Sequence, residues 1–300
     1  MSESSFSGRR RRHRVEYAAV RLARLMDRIL GPGLSATIAS GLGRLAYRTI
    51  GIRRDVVEDQ LRLAFPDRDE AWIRRVASDA YAHLAREGLS MLRLSRLGRE
   101  DVLAVTEVEE GLEELRTAVA AGTGAVLVTG HFGNWEIGGA ALAARGIPLD
   151  VVARRQANPL FDRLINRARE RLGMRVVERG RATRESLRGL RQGHVVALVA
   201  DQDARSAGIF VPFFGRPAST FRGPAVLALR SGAPLFIGTA VRQPDGRYRV
   251  RVRPITIPGT EDPEAQVREL TAAHVAALEA AVREQPEQYF WHHRRWKTRA

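Results

Sequence analysis

The chain has no cysteine, and only one of its 49 basic residues, Lys297, is a lysine. The first absence excludes disulfides, thiolate nucleophiles and cysteine metal sites. Aromatic residues make up 6% of the chain, leaving few platforms on which single-stranded bases could stack. None of the standard nucleic-acid recognition signatures occurs either, so a nucleic-acid partner is set aside. The stretch Val15–Leu30 is too charged to span a bilayer, which takes about 20 predominantly apolar residues. No uninterrupted apolar core follows the amino-terminal arginines, as it would in a cleavable signal peptide, and the protein is expected to stay inside the cell. Gly-x-Ser-x-Gly is also missing, which argues against an acyl-enzyme hydrolase of the nucleophile-elbow type.

Three hundred residues with 44% apolar content suffice for one large α/β domain with a helical extension. The net charge of +15 favours anionic partners such as phospholipid headgroups or phosphorylated substrates. Residues 1–14, Ser-rich and then basic from Arg9 to Arg14, are expected to form a disordered tail. Residues 15–100 read as helical. In the first helix Ala19, Leu22, Leu25, Met26 and Ile29 recur at helical spacing, with Arg21, Arg24 and Arg28 on other faces. Two readings fit: a helix lying on anionic lipid, each Arg contributing roughly 1 kcal/mol, or a helix packed on the domain with a solvated basic face. Further helical patterns run from Gly31-Pro32-Gly33 through Ile50, over 55–64 and over 69–94. Residues 101–300 read as the α/β domain, packed with the helical region as one unit. Strands are expected at 125–129, 149–153, 175–178, 195–200, 234–241 and 247–253, with helices at 159–172 and 183–192 and from Asp262-Pro263 to about Arg283.

The densest chemistry follows the strand Ala125–Thr129. Gly130 ends that strand and His131-Phe132-Gly133-Asn134-Trp135-Glu136 follows, at the carboxyl edge where open α/β sheets bind ligands. Residues five apart in one helix point about 140° away from each other, so His131 belongs to a turn, with Asn134 capping a helix that starts near Trp135. The turn is then expected to fold the imidazole back onto Glu136, which accepts one ring N–H and frees the other nitrogen as a base. The same spacing also fits a structural histidine with Glu136 favouring the helix start. Main-chain N–H groups around Gly133 are candidates for an oxyanion site.

Other groups are expected to serve the same site. Strand 195–200 ends at Asp201-Gln202-Asp203, two carboxylates placed to bind a metal, orient a basic group or cap the next element. Arg154, beside Asn158-Pro159, suits a bidentate phosphate clamp. Phe210-Val211-Pro212-Phe213-Phe214-Gly215, near Arg216 and Arg222, reads either as core or as the wall of an acyl-chain pocket with a basic mouth. At about 0.8 kcal/mol per buried CH₂, such a pocket would favour a long chain. In the tail, Arg294, Arg295, Lys297 and Arg299 suit phosphate or anionic lipid, and Trp291 and Trp296 suit a membrane interface. His292 and His293 face different ways and lack a third partner, so they are not read as metal ligands.

Gly130-His131-Phe132-Gly133-Asn134-Trp135-Glu136 resembles the His-x4-Asp/Glu motif of glycerolipid-type acyltransferases, in the form seen in the late acyltransferases of lipid A biosynthesis. Leu61-Arg62-Leu63-Ala64-Phe65-Pro66, Arg154 with Asn158-Pro159 and Asp162, Asp201-Gln202-Asp203, the Phe210–Gly215 run and the tail Trp291–Arg299 resemble that family in the same order, over roughly residues 15–299. The resemblance implies a glycerolipid-acyltransferase-like mixed sheet flanked by helices, with an N-terminal helical extension. It implies transfer of a fatty acyl chain from acyl-acyl carrier protein to a hydroxyl of a lipid A precursor, a glycolipid acceptor, without metal or cofactor. In that reading His131 is the general base, Glu136 orients it, and Arg154, Asp201, Asp203, Arg216, Arg222, Arg294 and Arg295 hold substrate. Many relatives begin with a membrane-spanning segment; this chain departs from them, which points to peripheral attachment on the cytoplasmic face of the inner membrane, against anionic lipid. The phosphatidylinositol mannoside acyltransferases, with acyl-CoA as donor, share the central motif and give the alternative function.

Overall fold

The computed structural model describes residues 3–256 and 259–299, with side chains from residue 11 onward. Helix α1 (Glu3–Thr49) is two helices joined at a kink. Gly31 takes φ 74° there, which costs glycine little, and Pro32 opens the second segment with its φ already set. Residues 3–14, expected as a tail, lie within the span of this helix. Arginine is a strong helix former, and Arg12 pairs with Glu16 one turn on at 2.7 Å. Next come α2 (Arg54–Ala64), α3 (Glu70–Leu94) and α4 (Arg99–Val105). The Asp69 carboxylate caps α3 by accepting from the Trp72 N–H at 2.7 Å. Buried Asp27 ties α1 to α3, accepting from Ser35, Arg93 and Arg96.

The remainder alternates strands and helices: β1 (Thr106–Glu110), α5 (Leu112–Ala120), β2 (Ala125–Thr129), α6 (Trp135–Ala144), β3 (Leu149–Ala153), α7 (Pro159–Arg171), β4 (Met174–Glu178), α8 (Ala182–Arg191) and β5 (Val195–Val199). A hairpin of β6 (Ile209–Phe213) and β7 (Arg216–Thr220) follows, then α9 (Gly223–Ser231), β8 (Leu235–Arg242), β9 (Tyr248–Ile255) and α10 (Pro263–Glu284). Seven strands form one sheet in the order β1-β9-β8-β2-β5-β3-β4, parallel throughout except where β8 meets β9. This is the expected mixed sheet flanked by helices with a helical extension. Three strands escape the sequence pattern: β1 reads Thr-Glu-Val-Glu-Glu, which alternates but is mostly polar, and β6 and β7 are interrupted by proline.

Side-chain alternation along β2 builds two cores at once. Ala125 and Leu127 face α4, α6 and α7, whereas Val126 and Val128 face α9 and α10. Burial on both faces explains why the strand is continuously apolar. At its carboxyl end β2 lies beside β5, with Thr129 opposite Val199. His131 and Asp201 are thus each two residues beyond a paired position. The tail closes this edge: Phe290 N–H donates to the His131 carbonyl at 2.9 Å, and Gly133 N–H donates to the Gln288 carbonyl at 2.9 Å.

Among the described residues the exposed large apolar side chains lie between Val15 and Ile52, with Leu84 the one exception. Leu22, Leu25, Met26 and Ile29 are 41–66% exposed, so this face of α1 is not packed on the domain. No described helix is long and apolar enough to cross a membrane.

Candidate active site

His131 is held from two directions by one carboxylate. Its main-chain N–H donates to Asp201 Oδ2 at 2.8 Å, and its Nδ1–H donates to Asp201 Oδ1 at 2.7 Å. The tautomer with hydrogen on Nδ1 leaves Nε2 free as an acceptor. Trp135 meets the imidazole edge-on at 4.8 Å between ring centroids. Burial is the largest single influence on the imidazole and opposes its charged form. The charge and hydrogen bond of Asp201, with the charge of Glu136 added, outweigh it and raise the His131 pKa above its ordinary value. Burial likewise opposes the Asp201 charge, but His131, with Arg295 further off, lowers its pKa.

The expected contact between His131 and Glu136 does not form. Glu136 is held instead by Arg169 of α7, whose Nε donates to Oε2 at 2.9 Å while a second guanidinium nitrogen reaches Oε1. The two side chains are only 6% and 12% exposed, making this a buried bidentate pair. Asn134 caps α6 as expected, accepting from the Ile137 N–H at 2.9 Å. Its amide also donates to Glu87 of α3 at 2.7 Å.

The turn is fixed by close packing. Gly133 has φ +58°, and a Cβ there would lie 2.0 Å from the Ala240 carbonyl oxygen. Its N–H is spent on Gln288, and the Asn134 N–H donates to the Ala240 carbonyl at 2.8 Å. Neither of these two N–H groups remains for an oxyanion.

His131 and Glu136 both line a cavity of about 690 Å³, within the size range of small-molecule and cofactor sites. Its inner wall is apolar, with Leu127, Leu142, Phe161, Ile165 and Met174 among the lining residues. Arg154, Arg169, Arg179 and Arg230 line it too. Arg154 is exposed there, compatible with a phosphate clamp. Arg169, Arg179 and Arg230 were not singled out from the sequence, because isolated arginines in an arginine-rich chain carry no local signal. Pairing with a buried carboxylate distinguishes Arg169.

Several expected substrate contacts lie elsewhere. Asp203 anchors the tail: its N–H donates to His293 Nε2 at 2.9 Å and its carboxylate accepts from the Thr298 hydroxyl at 3.0 Å. Arg295 is 2% exposed and donates to the Ser219 carbonyl at 2.7 Å and to Thr220, so it meets no phosphate. Arg294 is exposed but does not line the cavity. Arg216 donates to the Leu63 carbonyl at 3.0 Å, and Arg222 pairs with Glu264 at 2.7 Å; neither lines the cavity. Phe213 and Phe214 are buried in the core, and none of the Phe210–Gly215 run lines the cavity. Trp291 is 1% exposed, packs against Phe65, Phe214 and Tyr289, and is no membrane anchor. Trp296 packs on Phe213. Trp291 and Arg295 are buried where the tail packs along the sheet edge behind the site.

Residues 9–298 match the family model described as bacterial lipid A biosynthesis acyltransferase. The chain is 30% identical over 266 residues to the lipid A biosynthesis lauroyltransferase of Escherichia coli (strain K12), covering 87% of this chain and 85% of that protein. It is 27% identical over 272 residues to the lipid A biosynthesis palmitoleoyltransferase of the same organism, covering 87% and 84%. A shorter stretch of 131 residues is 39% identical to the phosphatidylinositol mannoside acyltransferase of Mycobacterium tuberculosis (strain CDC 1551 / Oshkosh), covering 42% and 41%.

Proposed function

The chain belongs to the bacterial lipid A biosynthesis acyltransferase family and is an O-acyltransferase, and from that premise we propose that it moves a fatty acyl group from acyl-acyl carrier protein to a hydroxyl of a lipid A precursor. The observation that carries this reading is a histidine with a free Nε2, fixed by a buried carboxylate, on the wall of a mostly apolar cavity. Nε2 takes the proton of the acceptor hydroxyl as its oxygen attacks the thioester carbonyl. The tetrahedral adduct collapses, the C–S bond breaks, and the imidazolium returns the proton to the leaving thiolate. Asp201 keeps the ring in the required tautomer and stabilises the imidazolium between these steps. Glu136 serves the site through Arg169, which it holds against the cavity, and reaches His131 only through space, by its charge. The apolar inner wall takes the acyl chain, and exposed Arg154 and Arg230 take the sugar phosphate.

The protein works from the cytoplasmic face of the inner membrane without spanning it. This reading is supported by the exposed apolar residues of α1 beside Arg21, Arg24 and Arg28, a composition suited to an interfacial helix on anionic lipid. The test is a matrix of donors and acceptors: lauroyl-, myristoyl- and palmitoyl-acyl carrier protein and the matching acyl-CoAs, each with a Kdo-modified lipid A precursor and with mannosylated phosphatidylinositol. A mass gain of one acyl group on the lipid A precursor, with the carrier-protein donor preferred, is expected. A gain on the mannosylated lipid alone, from acyl-CoA, would replace this reading with the phosphatidylinositol mannoside one.

A further inference from the structure

Helix α8 carries a stripe of arginines that the site does not use. Arg184, Arg188 and Arg191 fall within about 60° of one another around the helix at 3.6 residues per turn, and Arg181 is the residue that caps it. All four are exposed. Among the described residues none of the four forms an ion pair. Glu185, the one acid of α8, makes no pair with them.

Such a stripe is locally unfavourable. Like charges one turn apart on a helix repel one another. Arg181 and Arg184 also sit at the positive end of the helix dipole. The face of α8 turned away from the stripe packs inward through Leu190, with Leu187 half-buried at its side, and the basic face is left to solvent. It begins at the cavity mouth: Arg179, Ala182 and Thr183 line the cavity, and the stripe runs about 10 Å away from it between Arg184 and Arg191.

We propose that Arg181, Arg184, Arg188 and Arg191 form the docking surface for the acidic carrier protein that delivers the acyl thioester into the cavity. The charge selects an acidic partner, and the neighbouring mouth places its prosthetic arm within reach of His131. A bilayer fits this face poorly. Interfacial helices bury large apolar side chains beside their basic ones, and α8 exposes none, whereas α1 exposes many. The proposal rests on the carrier-protein donor assigned above.

The test is the double variant Arg184→Glu/Arg188→Glu, with Arg184→Gln/Arg188→Gln as a milder form should the first fail to fold. Fluorescence anisotropy with labelled holo-acyl carrier protein reads docking without turnover, and transfer is compared between lauroyl-acyl carrier protein and the carrier-free donor S-lauroylpantetheine. Affinity for the carrier is expected to fall about tenfold or more, with a flatter salt dependence and a matching rise in KM for the carrier donor. Turnover of S-lauroylpantetheine should be unchanged. Unaltered anisotropy and KM would overturn the proposal, as would intact carrier binding with lost sedimentation on phosphatidylglycerol vesicles, which would give the stripe to the membrane. If the wild-type protein binds the carrier but transfers from neither donor, the assigned reaction fails, and the docking surface stands if the variant loses that binding and falls if it keeps it.

Discussion

His131 and Asp201 are seventy positions apart in the chain and are joined by two hydrogen bonds of 2.8 and 2.7 Å, one from the main chain and one from the ring. The first sets where the imidazole sits and the second sets its tautomer, so one carboxylate governs both position and chemistry.

Asp201→Asn is expected to lower kcat by roughly 10²–10⁴-fold, the range general-base catalysis supplies. The base must be neutral, so kcat/KM falls as pH drops through the raised His131 pKa, giving an acid limb above the ordinary histidine value of about 6.5. Removing the Asp201 charge moves that limb to lower pH. A pH–rate profile of the variant checks the direction; an unmoved limb would detach Asp201 from His131. In stability the raised His131 pKa contributes below about pH 6.5 and is lost as pH rises through the folded value.

Glu136→Gln leaves the Arg169 guanidinium buried without its counter-charge, and is expected to cost about 3–5 kcal/mol in chemical denaturation. Its acid limb should move down less than that of Asp201→Asn, because Glu136 acts on His131 through space only. A shift as large as that of Asp201→Asn would restore a direct role for Glu136.

Arg295→Met removes a buried cation near Asp201 and is expected to destabilise the fold by about 2–4 kcal/mol, since the Ser219 carbonyl and Thr220 lose their donor. Losing that positive charge should move the acid limb of kcat/KM to higher pH. Arg295→Lys, which keeps the charge, should hold the limb in place. Equal profiles for both variants would make Arg295 purely structural.

The triple variant Leu22→Ser/Leu25→Ser/Ile29→Ser is expected to reduce sedimentation with phosphatidylglycerol vesicles while leaving the unfolding midpoint nearly unchanged, because these side chains are exposed. Trp291→Ala should do the reverse, costing about 3–5 kcal/mol of stability. Vesicle binding that depends on Trp291 and not on α1 would overturn the membrane assignment.

Much of this was legible because the physics was local. The apolar run of β2, the cap at Asn134 and the placement of His131 in a turn all follow from neighbouring residues. So does the polar cluster ending β5, where Asp201 stood as a group able to orient a basic side chain. The choice of Asp201 over Glu136 as partner of His131 required knowing that β2 and β5 are adjacent and in register at Thr129 and Val199, which strand composition does not encode. The same limit explains Arg295 and Trp291. A basic, aromatic tail reads as a surface until the fold shows that it closes the sheet edge and buries them.

Mass analysis of a Kdo-modified lipid A precursor after incubation with lauroyl-acyl carrier protein, with wild-type protein and His131→Ala in parallel, tests the central claim most directly. The account predicts a gain of one lauroyl group with the wild type and none with a folded His131→Ala. Full transfer by the variant would contradict it.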